Sequence, residues 1–412
     1  MISGPLSPSD RITSIDVLRG LALLGIVIVN AAYFGLPLGG VLDGGIGAGS
    51  MSDRVTAILV VVFAEVKFIS IFSILFGFGL AMQRSRRLAA NTGFAAFGVR
   101  RMLLLAVFGL LHVLTLWYGD VLFLYAGLGL LLIPMLCLDA SVRLVLAAVM
   151  ICGAGVFVGL LSLLGMMGPP IVDPSTVDGS LRGFDAILEA QGDPTRPVWI
   201  DAEVAAFRNG PFLDALTFRI SSWALGQIIS IFGFAWHVLG MALIGSWMHD
   251  RDFFGAGGSV LRRRMTFTVL PGGLLLSIAA GMIFWVEGKA SIPGAVATLI
   301  QNLSAVMIAL GLVSLISLRV DAGRMPLSRI FSAVGRMSLT AYLLESVVFS
   351  ALMLHWGLGW FDQISRTGLV GLSLLVYTAV ALFCLLWSRR FAMGPMEWLW
   401  RQGAYLGTRR PA

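Results

Sequence analysis

A histidine stands in the middle of an apolar run, RRMLLLAVFGLLHVLTLWYGD, and an aspartate closes that run eight residues later. If the run is helical at about 1.5 Å per residue, His112 lies about 16 Å beyond Arg101, near the middle of a bilayer. An imidazole there acts as a general base when a carboxylate fixes its tautomer and raises its basicity, and Asp120 is the carboxylate at hand. A continued helix would leave the two about 12 Å apart. The chemistry therefore requires the chain to fold back at Gly119, or Asp120 serves another partner.

A charge at the bilayer centre costs at least about 2.5–3.5 kcal/mol on insertion scales, so ionisable residues inside apolar runs face protein or a wet cavity. In RITSIDVLRGLALLGIVIVNA, Asp16 and Arg19 share one helix face at the mouth of the first run. Asn30 lies about 21 Å further on. His237, in FAWHVLGMALIG, falls in the same depth band. Glu65 and Lys67 open the run FAEVKFISIFSILFGFG, as an ion pair, an anchor or part of a cavity wall, and Ser70, Ser73, Gly77 and Gly79 read as close helix packing. GRMSLTAYLLES puts Arg336 at a mouth and Glu345 about 13 Å deep, a candidate for lining a cavity. For Asn30 or His237 alone, an interhelical hydrogen bond worth about 0.6 kcal/mol explains as much as function does.

The elements that must position these residues follow from composition. Of 412 residues, 58% are hydrophobic and 12% charged, with mean hydropathy +0.91. These values predict one all-α polytopic membrane domain spanning the chain. Net charge is +7, yet the arginines gather in short clusters between apolar runs, as loops on the cytoplasmic face do, so nucleic acid is excluded as a partner. At roughly 20 residues per span, ten transmembrane helices are expected: 17–36, 65–83, 102–118, 121–138, 144–167, 224–248, 266–286, 294–318, 337–356 and 368–387. Both termini then lie in the cytoplasm, 168–223 is an extracytoplasmic loop with helical pieces around 183–191 and 201–207, 52–64 is an interfacial helix, and 389–412 is a cytoplasmic amphipathic tail. No internal repeat and no pair of broken spans is evident, which argues against a transporter. Cys137, Cys152 and Cys384 lie in apolar runs without paired spacing, and no two-histidine spacing calls for a metal. The Gly45–Ser50 and Gly255–Ser259 runs lack the surroundings of a phosphate loop.

The opening R-x-x-S-x-D-V-L-R-G-L-A-L-L-G-I-x-x-x-N, the KFISIFSILFGFG run, the RRMLLL…GLLH…WYGDVLFLYA hairpin, GRMSLTAYL and the RRFAMGPMEWLWR tail together resemble the YeiB-like family of bacterial inner-membrane proteins. The opening span is also similar to that of the wider transmembrane acyltransferase superfamily, which includes O-antigen and peptidoglycan acyltransferases and the lysosomal heparan glucosaminide acetyltransferase. That resemblance implies transfer of an acyl group, most simply acetyl, from cytoplasmic acyl-CoA to a hydroxyl or amine of an extracytoplasmic or membrane-embedded acceptor. In the O-acyltransferases the position occupied here by Asn30 is a His; Asn is the residue of the lysosomal enzyme's group. The loop histidine of that group has no counterpart, since Val41 takes its place, and His112 becomes the substitute base. The family pattern on the ninth span carries Asn and Gln where this chain has Ala341 and Glu345.

The expected roles are His112 as base, Asn30 as orienter or oxyanion donor, and Asp120 as the partner of His112. Asp16, Arg19, Arg101 and Arg336 would form the CoA mouth, with Arg262–Arg264 a further cluster, and Glu65, Lys67, His237 and Glu345 would line the substrate space. Acetyl-CoA or another acyl-CoA is the expected co-substrate, with no metal. A small-molecule or lipid transporter or flippase is the rival reading, a structural or regulatory membrane protein the third, and a homodimer stays open.

Overall fold

The computed structural model describes residues 12–42, 49–165 and 181–405, and all regular structure among them is helical. The first part of the expected 168–223 loop, most of the Gly45–Ser50 run and the last residues of the tail lie outside them. In chain order the helices are α1 (Thr13–Gly35), α2 (Leu38–Leu42), α3 (Met51–Phe63), α4 (Lys67–Ala89), α5 (Ala95–Thr115), α6 (Leu122–Met135), α7 (Ala140–Gly165), α8 (Gly183–Glu189) and α9 (Pro197–Asn209). They continue as α10 (Phe212–Phe232), α11 (Phe234–Asp250), α12 (Ser259–Arg264), α13 (Leu270–Glu287), α14 (Ile292–Asp321), α15 (Ser328–Arg336), α16 (Ser338–Met353), α17 (Arg366–Trp387) and α18 (Pro395–Tyr405).

Among the described residues eight stretches are long and apolar enough to cross a membrane, and α6 and α16 are two shorter apolar helices. Ten spans were expected; eight candidates and two shorter apolar helices are found, and they do not fall in all the expected places. The expected span 224–248 is split at Gly233, and the membrane-length helix is α10, whose first half had been assigned to the loop. Phe212, Leu213, Ile228, Ile231 and Phe232 are exposed along it, as a lipid-facing helix requires. The two helical pieces foreseen in the loop are present as α8 and α9.

The chain enters the bundle at an arginine-rich end. From there α1 runs to the far end and α4 returns beside it, with Gly25 facing the Phe68 ring and Gly79 facing Arg19. Helices α4 and α11 lie parallel, shown by Ser70 bonding His237 near one end and Phe78 meeting His249 near the other. Their backbones touch: a Cβ on Gly77 would fall 1.9 Å from the Ala242 carbonyl oxygen, and one on Gly245 the same distance from that of Ile74. Small residues at such crossings are how helices associate where lipid removes the hydrophobic drive.

Two of the long elements are broken. Helix α3 ends at Ala64–Glu65–Val66, where Val66 has φ +68°, and α4 starts anew. The orphaned carbonyls of α3 take donors from elsewhere: Lys67 Nζ (2.6 Å) and Gln301 Nε2 on Val61, and Ser277 Oγ (2.8 Å) on Val62. The second break is Gly233, between α10 and α11.

Candidate functional site

Helix α5 stops at Thr115 because the chain tightens there, with the amides of Leu116 and Trp117 both donating to the His112 carbonyl. Trp117 Nε1 and Tyr118 Oη then donate to the Tyr33 carbonyl at 3.2 and 2.8 Å, pinning the turn against α1. The fold-back required by the sequence is thus present, and it delivers Asp120 to His112. Asp120 Oδ1 lies 3.1 Å from His112 Nδ1, and both side chains have no exposure. Its other oxygen accepts from the Phe123 amide at 2.7 Å and caps α6. Gly109 makes the room, since a Cβ there would fall 2.7 Å from Asp120 Oδ2. A carboxylate accepting from Nδ1–H leaves Nε2 as the lone-pair nitrogen. That nitrogen is buried with no hydrogen-bond partner, and the Tyr342 ring lies 5.2 Å from the imidazole.

Asp120 also faces a cavity of about 370 Å³ at the far end, bounded by α1, the α3–α4 break, the 117–121 turn and α10. Asn30, Tyr33, Glu65, Trp117, Tyr118, Ser222, Trp223 and Gln227 line it. Both helix breaks open onto it: Ala64, Glu65 and Val66 from one, Ser230 and Phe234 from either side of the other.

At the arginine-rich end a second space has two lobes of about 240 and 350 Å³ that share Arg19, Arg101, Arg336, Glu397 and Arg401 among their walls. Asp16 lines the smaller lobe, with Arg19 3.8 Å away. All four residues expected at the donor mouth, Asp16, Arg19, Arg101 and Arg336, therefore stand together. Arg262 does not join them: it is buried, bonded to the Phe254 and Gly255 carbonyls and paired with Asp321 at 3.1 Å.

Between the two spaces lies a partition one helical turn thick. Phe68 and Ile69 on α4 face the far cavity, and Phe72 and Phe76 face the basin. Tyr125 fills the level between, its hydroxyl 2.7 Å from Ser73 Oγ and its ring edge-on to Phe72 and Phe76.

Residues 248–407 match a family model described as "Protein of unknown function (DUF418)". The chain is 30% identical over 403 residues to "Uncharacterized protein YeiB" of Escherichia coli (strain K12), covering 95% of this chain and 96% of the relative. The chain belongs to the YeiB-like family. It is also similar to "Uncharacterized protein YxaH" of Bacillus subtilis (strain 168), 27% identical over 98% of this chain and 96% of that one. No solved structure matches. The matched family segment runs from the end of α11 through α18 and so includes Arg336 and Glu397, whereas the full-length relatives also span α1 and the α5–α6 hairpin.

Of the four residues expected to line the substrate space of this YeiB-like chain, Glu65 does so, and Lys67, His237 and Glu345 sit elsewhere. Glu65 reaches the far cavity and pairs with Lys289 at 3.5 Å rather than with Lys67. Lys67 is fully buried and closes the α3 break, away from the cavity wall. His237 is buried against Ser70 at 2.7 Å, as packing between α4 and α11. Glu345 is buried on α16, one turn beyond Tyr342, with Oε1 unpaired and outside both cavity walls. His112 itself stands behind Asp120 and not in the cavity wall.

Glu397 was missed. It reads as one acid in an interfacial tail, yet α18 folds under the bundle. Its carboxylate accepts from the Leu339 (2.7 Å) and Thr340 (3.1 Å) amides at the start of α16. Burial pushes its carboxyl pKa up, against those hydrogen bonds. Trp400 completes the wall, with Nε1 on the Arg101 carbonyl (3.1 Å) and the Arg101 guanidinium 4.1 Å over its ring. Ser222, Trp223 and Gln227 were missed because they precede the expected start of their span or fall just inside it. The 3.6-residue rhythm of FLDALTFRISSWALGQIISIF was the signal available.

Proposed function

We propose that this protein is a membrane acyltransferase that carries an acyl group, most simply acetyl, from acyl-CoA held in the arginine-rich basin to an acceptor in the far cavity. The observation that carries the reading is the buried Asp120–His112 pair at the edge of the far cavity, with a lone-pair nitrogen free on His112, in a bundle whose other end holds an arginine-rich space. Guanidinium groups of Arg19, Arg101 and Arg336 suit the phosphates of CoA. By the positive-inside rule the basin faces the cytoplasm, where acyl-CoA is made. In the step, an acceptor oxygen or nitrogen attacks the thioester carbon and its proton passes to His112 Nε2, which a movement of the surrounding side chains must first uncover because it lies behind Asp120 and outside the cavity wall. The C–S bond then breaks and the CoA thiolate takes up that proton. Asn30 supplies an amide to the developing oxyanion or orients the acceptor. The partition at Tyr125 must part for the thioester to reach the acceptor.

The test is release of free CoA thiol from acetyl-CoA by purified protein with an envelope extract as acceptor, alongside CoA binding. Release that His112→Ala abolishes while CoA binding persists supports acyl transfer; no release and no CoA binding with any donor sinks it.

The helix breaks favour a second reading. Paired discontinuous helices that meet at a midplane cavity are a mark of secondary transporters, and the α3–α4 and α10–α11 breaks meet at one cavity. Solute or lipid flux in vesicles, without thioester consumption, would establish that reading instead.

A further inference from the structure

The far cavity has three properties that together restrict what it holds. The first is its rim. Leu42 and Ile229 belong to the wall and are 45% and 43% exposed, so the opening beside α10 is apolar and gives onto the hydrocarbon around that helix. A water-soluble ligand would have no reason to meet such a rim, whereas a chain-bearing molecule would leave its tail in lipid and place only its head inside. The second is charge. Among the described residues no lysine or arginine lines the cavity, so a phosphate head would be desolvated without a counter-charge. The two carboxylates present are already engaged, Glu65 by Lys289 and Asp120 by His112 and the Phe123 amide, so a cationic head would find no unpaired negative charge either. The third is unused hydrogen-bonding capacity. Ser222 Oγ, on a side chain only 3% exposed, and Trp223 Nε1 are buried without partners although both residues face the cavity. Buried polar atoms of this kind are rare unless something pairs with them. Asn30 and Gln227 add two amides that can both donate and accept.

We infer that the far cavity binds the uncharged, hydroxyl-rich head of a membrane lipid or lipid-linked molecule that enters sideways past α10. The head sets its hydroxyls against Ser222, Trp223, Asn30 and Gln227, and the tail passes between Leu42 and Ile229. The inference rests on the acyltransfer reading only in calling this molecule the acceptor; as a binding site it stands without it.

Native mass spectrometry of the full-length protein, titrated with a diglucosyl diacylglycerol, with phosphatidylglycerol of the same chains and with free maltose, tests the claim. The glucolipid is expected to bind about tenfold more tightly than phosphatidylglycerol, and maltose not to bind measurably. The double variant Ser222→Val with Trp223→Phe removes both donors while keeping apolar bulk at each position, and is expected to lower glucolipid affinity about tenfold, the scale of two neutral hydrogen bonds. Gln227→Leu provides a second variant should that one fail to fold. Equal or preferred binding of phosphatidylglycerol, binding of maltose as tight as that of the glucolipid, or unchanged affinity in folded variants would overturn the inference. Glucolipid binding without any thiol release would remove the acyltransfer reading and leave this site; thiol release to a soluble acceptor with no lipid preference would do the reverse.

Discussion

The two ends of the bundle solve opposite problems. At the arginine-rich end the two lobes of the basin are walled by six arginines, Arg19, Arg86, Arg87, Arg101, Arg336 and Arg401, against the carboxylates of Asp16 and Glu397, so its field is positive and suited to anions. At the far end the cavity has no cationic wall residue among those described, and the charges it holds there are already paired. Each end is nevertheless held by the same device, a carboxylate from a peripheral helix, half-buried at the basin and fully buried at the far end, that accepts from the amide of a helix it does not belong to. Glu397 on α18 takes the Leu339 and Thr340 amides, and Glu203 on α9 takes the Leu38 amide at 3.1 Å. Under the proposed function the difference teaches where specificity would reside: charge would select the ligand at one end, while at the other it is tied up in internal pairs and shape and neutral hydrogen bonds would be left to select.

The largest effect is expected where the ends meet. His112→Ala should lower acyl transfer about 10²–10⁴-fold while CoA affinity stays within about twofold, because the residue touches neither wall. A parallel loss of CoA binding would show instead that the hairpin is structural and that the two ends are not separable. Next in size is the basin. Arg101→Gln removes a guanidinium that packs on Trp400, and loss of one charge-assisted contact should weaken CoA binding about 10–100-fold. Glucolipid affinity at the far end should not move. Wild-type CoA binding should also fall steeply with salt and glucolipid binding should not; isothermal titration at two ionic strengths reads both.

How much of this contrast was legible in the sequence depends on whether a signal was local. Asp16, Arg19, Arg101 and Arg336 carry their position with them, because arginines at the ends of apolar runs mark one face, and they meet in the basin. The Asp120–His112 contact was legible as a requirement but not as a fact, since the fold-back depends on Tyr33 accepting from Trp117 and Tyr118 and on the room at Gly109. Lys67 was misjudged for the reason that a buried lysine in an apolar run looks functional. Its partner is a backbone carbonyl freed by a helix break, and φ of +68° at a valine is invisible in composition. The break at Gly233 was hidden in the same way, since an apolar run reads alike whether the helix in it is continuous or not. Glu397 needed a tertiary contact that spans 58 residues.

The partition can be loosened without touching either wall's charge. Tyr125→Phe keeps the ring against Phe72 and Phe76 and removes the bond to Ser73 together with a long one, 3.4 Å, to the Ile69 carbonyl. One neutral hydrogen bond is worth about 0.5–1.5 kcal/mol, so thiol release in the absence of acceptor, a measure of leakage between the spaces, should rise about threefold to tenfold. Unchanged leakage would mean that the seal is made by ring packing alone.

The smallest effect concerns what braces the far cavity. Glu203 is fully buried, and burial pushes its carboxyl from 4.5 up to about 8, with the Leu38 amide pulling the other way. For an acid with a raised folded value the folded state keeps its proton where the unfolded chain has lost it. Stability from this group is therefore present in full below about pH 4.5, declines as pH rises towards about 8, and is flat above that. Glu203→Gln retains an acceptor for Leu38 and has no proton to lose, so thermal melting from pH 5 to pH 9 should show the wild type losing ground to the variant as pH rises. Glu397 contributes a slope of the same sign to both proteins and cancels in the difference. Parallel melting curves would mean that Glu203 is ionised in the fold. The far end would then carry a buried negative charge after all, and its contrast with the basin would weaken to a difference of degree.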